Sequence, residues 1–178
     1  MKITELPAFL VYLEKVHERS ARVIACVTPE ALEWTPVEGR WSCGDIIRHL
    51  AGIERWMYAE TILGRPSTYA GHERHLAEGL AATVAYYEQS HAEAMAIFGM
   101  LTAEQLKQRV NTPAGVPITA WKWMRAMVEH EAHHRGQLYL MLGLQGIPTP
   151  PLYGLTSEQV RDGVSTAANS RAPRTGAG

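Results

Sequence analysis

The chain has 178 residues, is 46% hydrophobic and 20% charged, and carries a formal net charge of −1. That is the make-up of a globular protein long enough to bury a core. The charge balance gives no electrostatic footprint for nucleic acid. No stretch reaches the roughly 20 apolar residues that a membrane-spanning helix needs.

The two cysteines, Cys26 and Cys43, sit in separate segments and read as reduced thiols of a cytoplasmic protein. Val23-Ile24-Ala25-Cys26 superficially resembles a lipoprotein cleavage box. Glu14, Lys15, His17, Glu18, Arg19 and Arg22 fill the region where such a signal requires an uninterrupted apolar run.

Leu6, Leu10, Leu13 and Ile24 recur with helical period, so residues 5–27 are predicted as a first helix ending before Thr28-Pro29, with His17 on its apolar stripe. Trp34 to Trp41 is a loop by its Pro and Gly content, and Ser42-Cys43-Gly44-Asp45 is a capping-box variant opening a second helix over 43–63. Ile46, Leu50, Ile53 and Met57 form the inner face of that helix, flanked by His49 and Trp56, before Gly64-Arg65-Pro66 stops it. A third helix is expected over 73–99, with Leu76, Leu80, Tyr87, His91, Ala94 and Phe98 on one face. Thr102 to Gln105 is a further capping box opening a short helix, and Asn111 to Pro117 is a turn-rich connection. Thr119 is expected to cap a fourth long helix over 120–143, ending near Gly143 or Gly146.

No segment reads as a strand. Four long amphipathic helices without a sheet predict an all-α four-helix bundle, with a long connection before the last helix. The division expected is a domain over 1–155 and a C-terminal extension over 156–178. That extension has a short helical turn near 157–162, and its composition from about 165 predicts a mobile tail.

The most informative stretch is His130-Glu131-Ala132-His133-His134-Arg135-Gly136-Gln137-Leu138 in the fourth helix. Positions four apart lie about 40° from one another on a helix face, so His130 and His134 can direct ring nitrogens at one ion. Trp123, Met127, Gln137, Leu138 and Met141 share that side, the face a helix buries. His49 makes a three-nitrogen site possible if the second and fourth helices face each other. The same string satisfies the zinc-protease pattern H-E-x-x-H, in which Glu131 would be the general base. After His134, however, the first His or Glu is Glu158, beyond a Pro-rich stop, and no sheet is predicted to bind a peptide backbone.

Asp45-Ile46-Ile47-Arg48-His49-Leu50 after Trp41-Ser42, the 130–138 segment, and Gly146-Ile147-Pro148-Thr149-Pro150-Pro151-Leu152-Tyr153-Gly154 together resemble the DinB-like family over about residues 5–155. The resemblance implies a four-helix bundle, often homodimeric, binding a divalent metal, often zinc or nickel, through three histidines. Carried onto this chain, the metal positions are His49, His130 and His134. The resemblance further implies a metal-dependent enzyme. The leading form is an S-transferase that uses a low-molecular-weight thiol as cosubstrate and acts on a small electrophile. A metal-dependent hydrolase and a non-catalytic, stress-related metal-binding or interaction protein are the alternatives.

His133, about 100° around the helix from His134, is expected outside the ligand set. His17 and His91 are read as hydrogen-bonded core residues, with a fourth-ligand or outer-sphere role left open. Gln137 could orient a ligand. Cys43 reads as a passive packing residue, and Trp41, Trp56, Trp121 and Trp123 as core packing, with a place beside the metal open to them.

Overall fold

The computed structural model describes residues 3, 5–156 and 158–163. Four long helical rods build the bundle: α1 (Leu6–Ile24), a second rod made of α3 (Cys43–Ile53), a π-helical turn (Glu54–Tyr58) and α4 (Ala59–Ile62), then α5 (Leu80–Gly99) and α7 (Ala120–Leu144). Two short α-helices, α2 (Pro29–Leu32) and α6 (Ala103–Lys107), and a 3₁₀ turn (Arg74–Leu76) lie in the connections among the described residues. Rod α1 packs on α5 and α7, and so does α3. Rods α1 and α3 therefore occupy opposite corners of the bundle, as do α5 and α7, and both the first and the last connection cross it. Residues 158–163 are helical. The mobile tail expected from about 165 lies outside the described residues.

Both capping boxes form as expected. Ser42 Oγ accepts from Asp45 N while Asp45 accepts from Ser42 N, and Thr102 and Gln105 make the same reciprocal pair. Thr119 takes the N-cap position of α7 but makes no side-chain capping bond. It belongs instead to a small antiparallel ribbon, β1 (Arg109–Asn111) with β2 (Pro117–Thr119), in register Arg109 to Thr119. This ribbon corrects the strand-free expectation. At three residues a side it is too short to show period-2 alternation, and only Val110 of its strands is buried.

The third helix begins at Leu80, not near 73, because Gly79 breaks the backbone at φ +80°. Residues 64–79 instead run back along α3. Thr68 N donates to Trp56 O at 2.9 Å, and Arg48 donates to the carbonyls of His72 (2.9 Å) and Ala77 (3.3 Å). Arg48 is fully buried and is held from the other side by Glu33 and Asp45. Gly44 leaves the space for it, since a Cβ there would lie 2.9 Å from an Arg48 nitrogen and 3.0 Å from Leu32 O.

The interior holds two apolar clusters. One surrounds Phe9, Leu13, Val16, Phe98 and Met124, the other Val23, Ile47, Leu50, Tyr87 and Leu138. Burial of these side chains, at roughly 1.5–3 kcal/mol each, is what holds the rods together.

Candidate metal centre

His49 projects from α3, and His130 and His134 from α7; because these rods are neighbours, the three imidazoles meet. His130 Nε2 lies 3.0 Å from His49 Nε2 and 3.1 Å from His134 Nε2. His49 and His134 are buried and His130 is half-buried. The outer ring nitrogens are tethered: His49 Nδ1 shares a 2.6 Å hydrogen bond with the Tyr69 hydroxyl, and His134 Nδ1 lies 2.7 Å from Gln137 Oε1. A carbonyl oxygen only accepts, so the His134 proton resides on Nδ1 and its Nε2 lone pair faces His130.

All three rings are held neutral. Burial, followed by repulsion from His130, His134 and His72, pushes the His49 pKa down to about 3. Burial and the charges of His134 and His133 push His130 down to about 4. Burial also lowers His134, against the opposing bond to Gln137.

Two nitrogens crowd the His130 nitrogen, and a single proton there could satisfy only one of them. A divalent ion satisfies all three at once, and separations of 3.0–3.1 Å subtend roughly 95° at an ion about 2.05 Å from each nitrogen. The donor set therefore fits a divalent transition metal, and an ion held by these three imidazoles alone would keep coordination positions open.

The surroundings are aromatic. The Trp41 ring lies 4.7 Å from His49, 5.7 Å from His134 and 4.2 Å from His72, centre to centre. Tyr58 lies 6.2 Å from His130 and 4.5 Å from Trp123, whose Nε1 donates to Thr61 Oγ1 at 2.8 Å. Trp41 thus stands beside the three imidazoles, while Trp123 joins the apolar interior.

His133 is exposed. His17 and His91 do not join the three imidazoles: His17 Nε2 bonds Glu88, and His91 bonds Glu54 and Glu14. Glu131, the second residue of H-E-x-x-H, is buried and accepts a 2.9 Å hydrogen bond from the Tyr87 hydroxyl. Burial, then the Glu54 charge, raise its pKa to about 7. Cys43 is fully buried, and burial pushes its thiol up to about 11, which suits a packing residue.

Sequence reasoning missed Tyr69 as the His49 tether, Arg48 as the clamp on the 64–79 segment, and Glu54 as an inward carboxylate. Asp45 and Arg48 are spaced for a helical pair, a visible signal for half of that clamp. Glu54 gave none, because a glutamate on the flank of a helix face reads as solvated.

Residues 12–138 match the family model of the DinB superfamily. The chain belongs to the DinB superfamily. Among DinB relatives, the uncharacterized protein YrdA of Bacillus subtilis (strain 168) is 24% identical over 156 residues, covering 86% of this chain and 91% of YrdA. A DinB-like protein of Bacillus cereus ATCC 10987 superposes with a TM-score of 0.70 at 18% identity, over 83% of this chain and 97% of its own. YfiT of Bacillus subtilis, described as a probable metal-dependent hydrolase with an unusual four-helix bundle topology, superposes with a TM-score of 0.64 at 18% identity, over 83% and 91%. The DinB fold is thereby shared. Among the described residues, no helix is long and apolar enough to cross a membrane.

Proposed function

We propose that the chain is a metal-dependent enzyme in which His49, His130 and His134 hold one divalent transition ion, zinc or nickel, and that it transfers a low-molecular-weight thiol to a small electrophile. The observation that carries the metal assignment is the convergence of three neutral Nε2 atoms, two of them 3.0 and 3.1 Å from the third, with two of the outer nitrogens tethered. When bound, the ion supplies a Lewis acid with open positions, able to favour the ionised form of a nucleophile at neutral pH.

The chain's own residues do the rest. Tyr69 and Gln137 fix the ring directions, and Trp41 provides a flat apolar wall for a substrate. The choice of thiol over water rests on Glu131. Water attack in an H-E-x-x-H enzyme uses the glutamate as general base, and here that carboxyl is bonded to Tyr87 in the interior. A thiol with an ordinary pKa of about 8.5 needs far less help to ionise than water does.

The similarity to YfiT, described as a probable metal-dependent hydrolase, supports hydrolysis as the second reading. Metal-replete protein given several cofactor thiols and a model electrophile should consume thiol and electrophile together, and metal-stripped protein should not. Electrophile loss without thiol would favour the hydrolase, and inertness of the metal-replete protein would overturn both.

A further inference from the structure

The two apolar clusters of the bundle are separated by a polar layer, to which each rod brings a buried ionisable residue. His17 lies between Val16 and Val23 on α1, and Glu54 between Leu50 and Tyr58 on the second rod. His91 lies between Tyr87 and Ala94 on α5, and Glu131 between Val128 and Leu138 on α7. One ligand atom from each of His17, Glu54 and His91 lies within 4.8 Å of the others. A cavity of about 10 Å³ opens against these three, Glu131 and His130, room for a guest the size of one water. Four-helix bundles that gather carboxylates and imidazoles from facing helices use them to hold metal ions.

We propose that His17, Glu54 and His91 form a second divalent-cation site, distinct from the His49, His130 and His134 group, with Glu131 facing the same cavity. His91 Nδ1 lies 3.0 and 3.2 Å from the two Glu54 oxygens, a gap that an ion bonded to both at about 2.0–2.2 Å spans. Two imidazoles and a carboxylate suit zinc, iron, cobalt or manganese.

The charges around the layer favour a cation. Glu14 on α1 and Glu88 on α5 bond the outer nitrogens of His91 and His17, while Tyr87 bonds Glu131 and Arg135 reaches Ser20 and the Val16 carbonyl. Burial works against a charged His91, yet Glu54 and then Glu14 outweigh it and hold the imidazole up at about 8. The ion takes the place of the Nδ1 proton between His91 and Glu54, which is released to solvent, while Nε2 keeps its proton and donates it to Glu14, 3.2 Å away. His17 lies flat on His91, with 3.6 Å between ring centres and 9° between planes. It must turn about its Cβ–Cγ bond to aim a nitrogen at the same ion, and the cavity lies against its ring.

The test is a zinc titration of the metal-stripped full chain, with bound metal counted and histidine ring nitrogens followed by ¹⁵N NMR. The wild type should take two equivalents, and His130→Ala and Glu54→Gln one each. The His91 nitrogens should leave the imidazolium position as the second equivalent enters. That signal is read in the wild type, so it stands even if a variant fails to fold. One equivalent, lost in His130→Ala and kept in Glu54→Gln with His91 still imidazolium, would overturn the second site and leave the first intact. One equivalent with the opposite pattern would uphold the second site and overturn the first.

Discussion

Gln137 Oε1 accepts the Nδ1 proton of His134 at 2.7 Å, one helical turn away, and thereby points His134 Nε2 at His130. Gln137 is exposed, so its role is not packing. Gln137→Ala should leave helix content unchanged and weaken metal binding about 10- to 100-fold, the usual cost of losing a residue that orients a ligand. Competition against a chromogenic chelator measures this, and an unchanged affinity would show that the tether is idle.

Arg48 ties the 64–79 segment to α3 and so holds Tyr69 and His72 beside the imidazoles. Removing one partner of a buried ion pair costs about 3–5 kcal/mol, so Arg48→Ala should lower the urea midpoint sharply.

The same clamp sets an acid limit on stability. Burial works to raise the carboxyl pKa values of Glu33 and Asp45, but Arg48 outweighs it, joined at Asp45 by the Ser42 backbone N–H, and both fall below their ordinary values. Groups depressed on folding contribute stability that is fully present above their unfolded pKa values of about 4 and is lost as pH falls through the folded ones. Thermal melts from pH 6 to pH 2 should therefore show the loss below about pH 4, and Asp45→Asn should flatten it.

Trp41, with its ring 4.7 Å from that of His49, should report the ion directly. Nickel or cobalt added to the metal-free protein should quench tryptophan emission, and Trp41→Phe should remove most of that quenching. Equal quenching in the variant would place the ion elsewhere.

Glu131 separates this chain from the zinc proteases whose pattern it carries. A general base is typically worth 10²- to 10⁴-fold in rate. With its carboxyl bonded to Tyr87, Glu131→Gln should change the turnover number less than about tenfold. A loss of a hundredfold or more, with the fold intact, would restore the glutamate to the chemistry.

The long helices and both capping boxes were legible in the sequence because they rest on local pattern. His130 and His134 were legible together because four-residue spacing converges on any helix. Their meeting with His49 depends on α3 and α7 being neighbours, which periodicity cannot supply and which the family resemblance provided. The π-helical turn at Glu54–Tyr58 and the return of residues 64–79 along α3 were not legible. The first has no residue signature, and the second is set by Arg48, whose partners Glu33 and Ala77 lie 15 and 29 positions away. The late start of α5 turns on Gly79, whose positive φ is one of several open to a glycine.

Anomalous diffraction from crystals of the metal-loaded protein tests the central claim most directly. A peak should lie within about 2.0–2.1 Å of the Nε2 atoms of His49, His130 and His134 together, with non-protein ligands completing the shell. A loaded crystal with no peak among these three nitrogens, or an ion there closed by a fourth protein ligand, would contradict an open three-histidine centre.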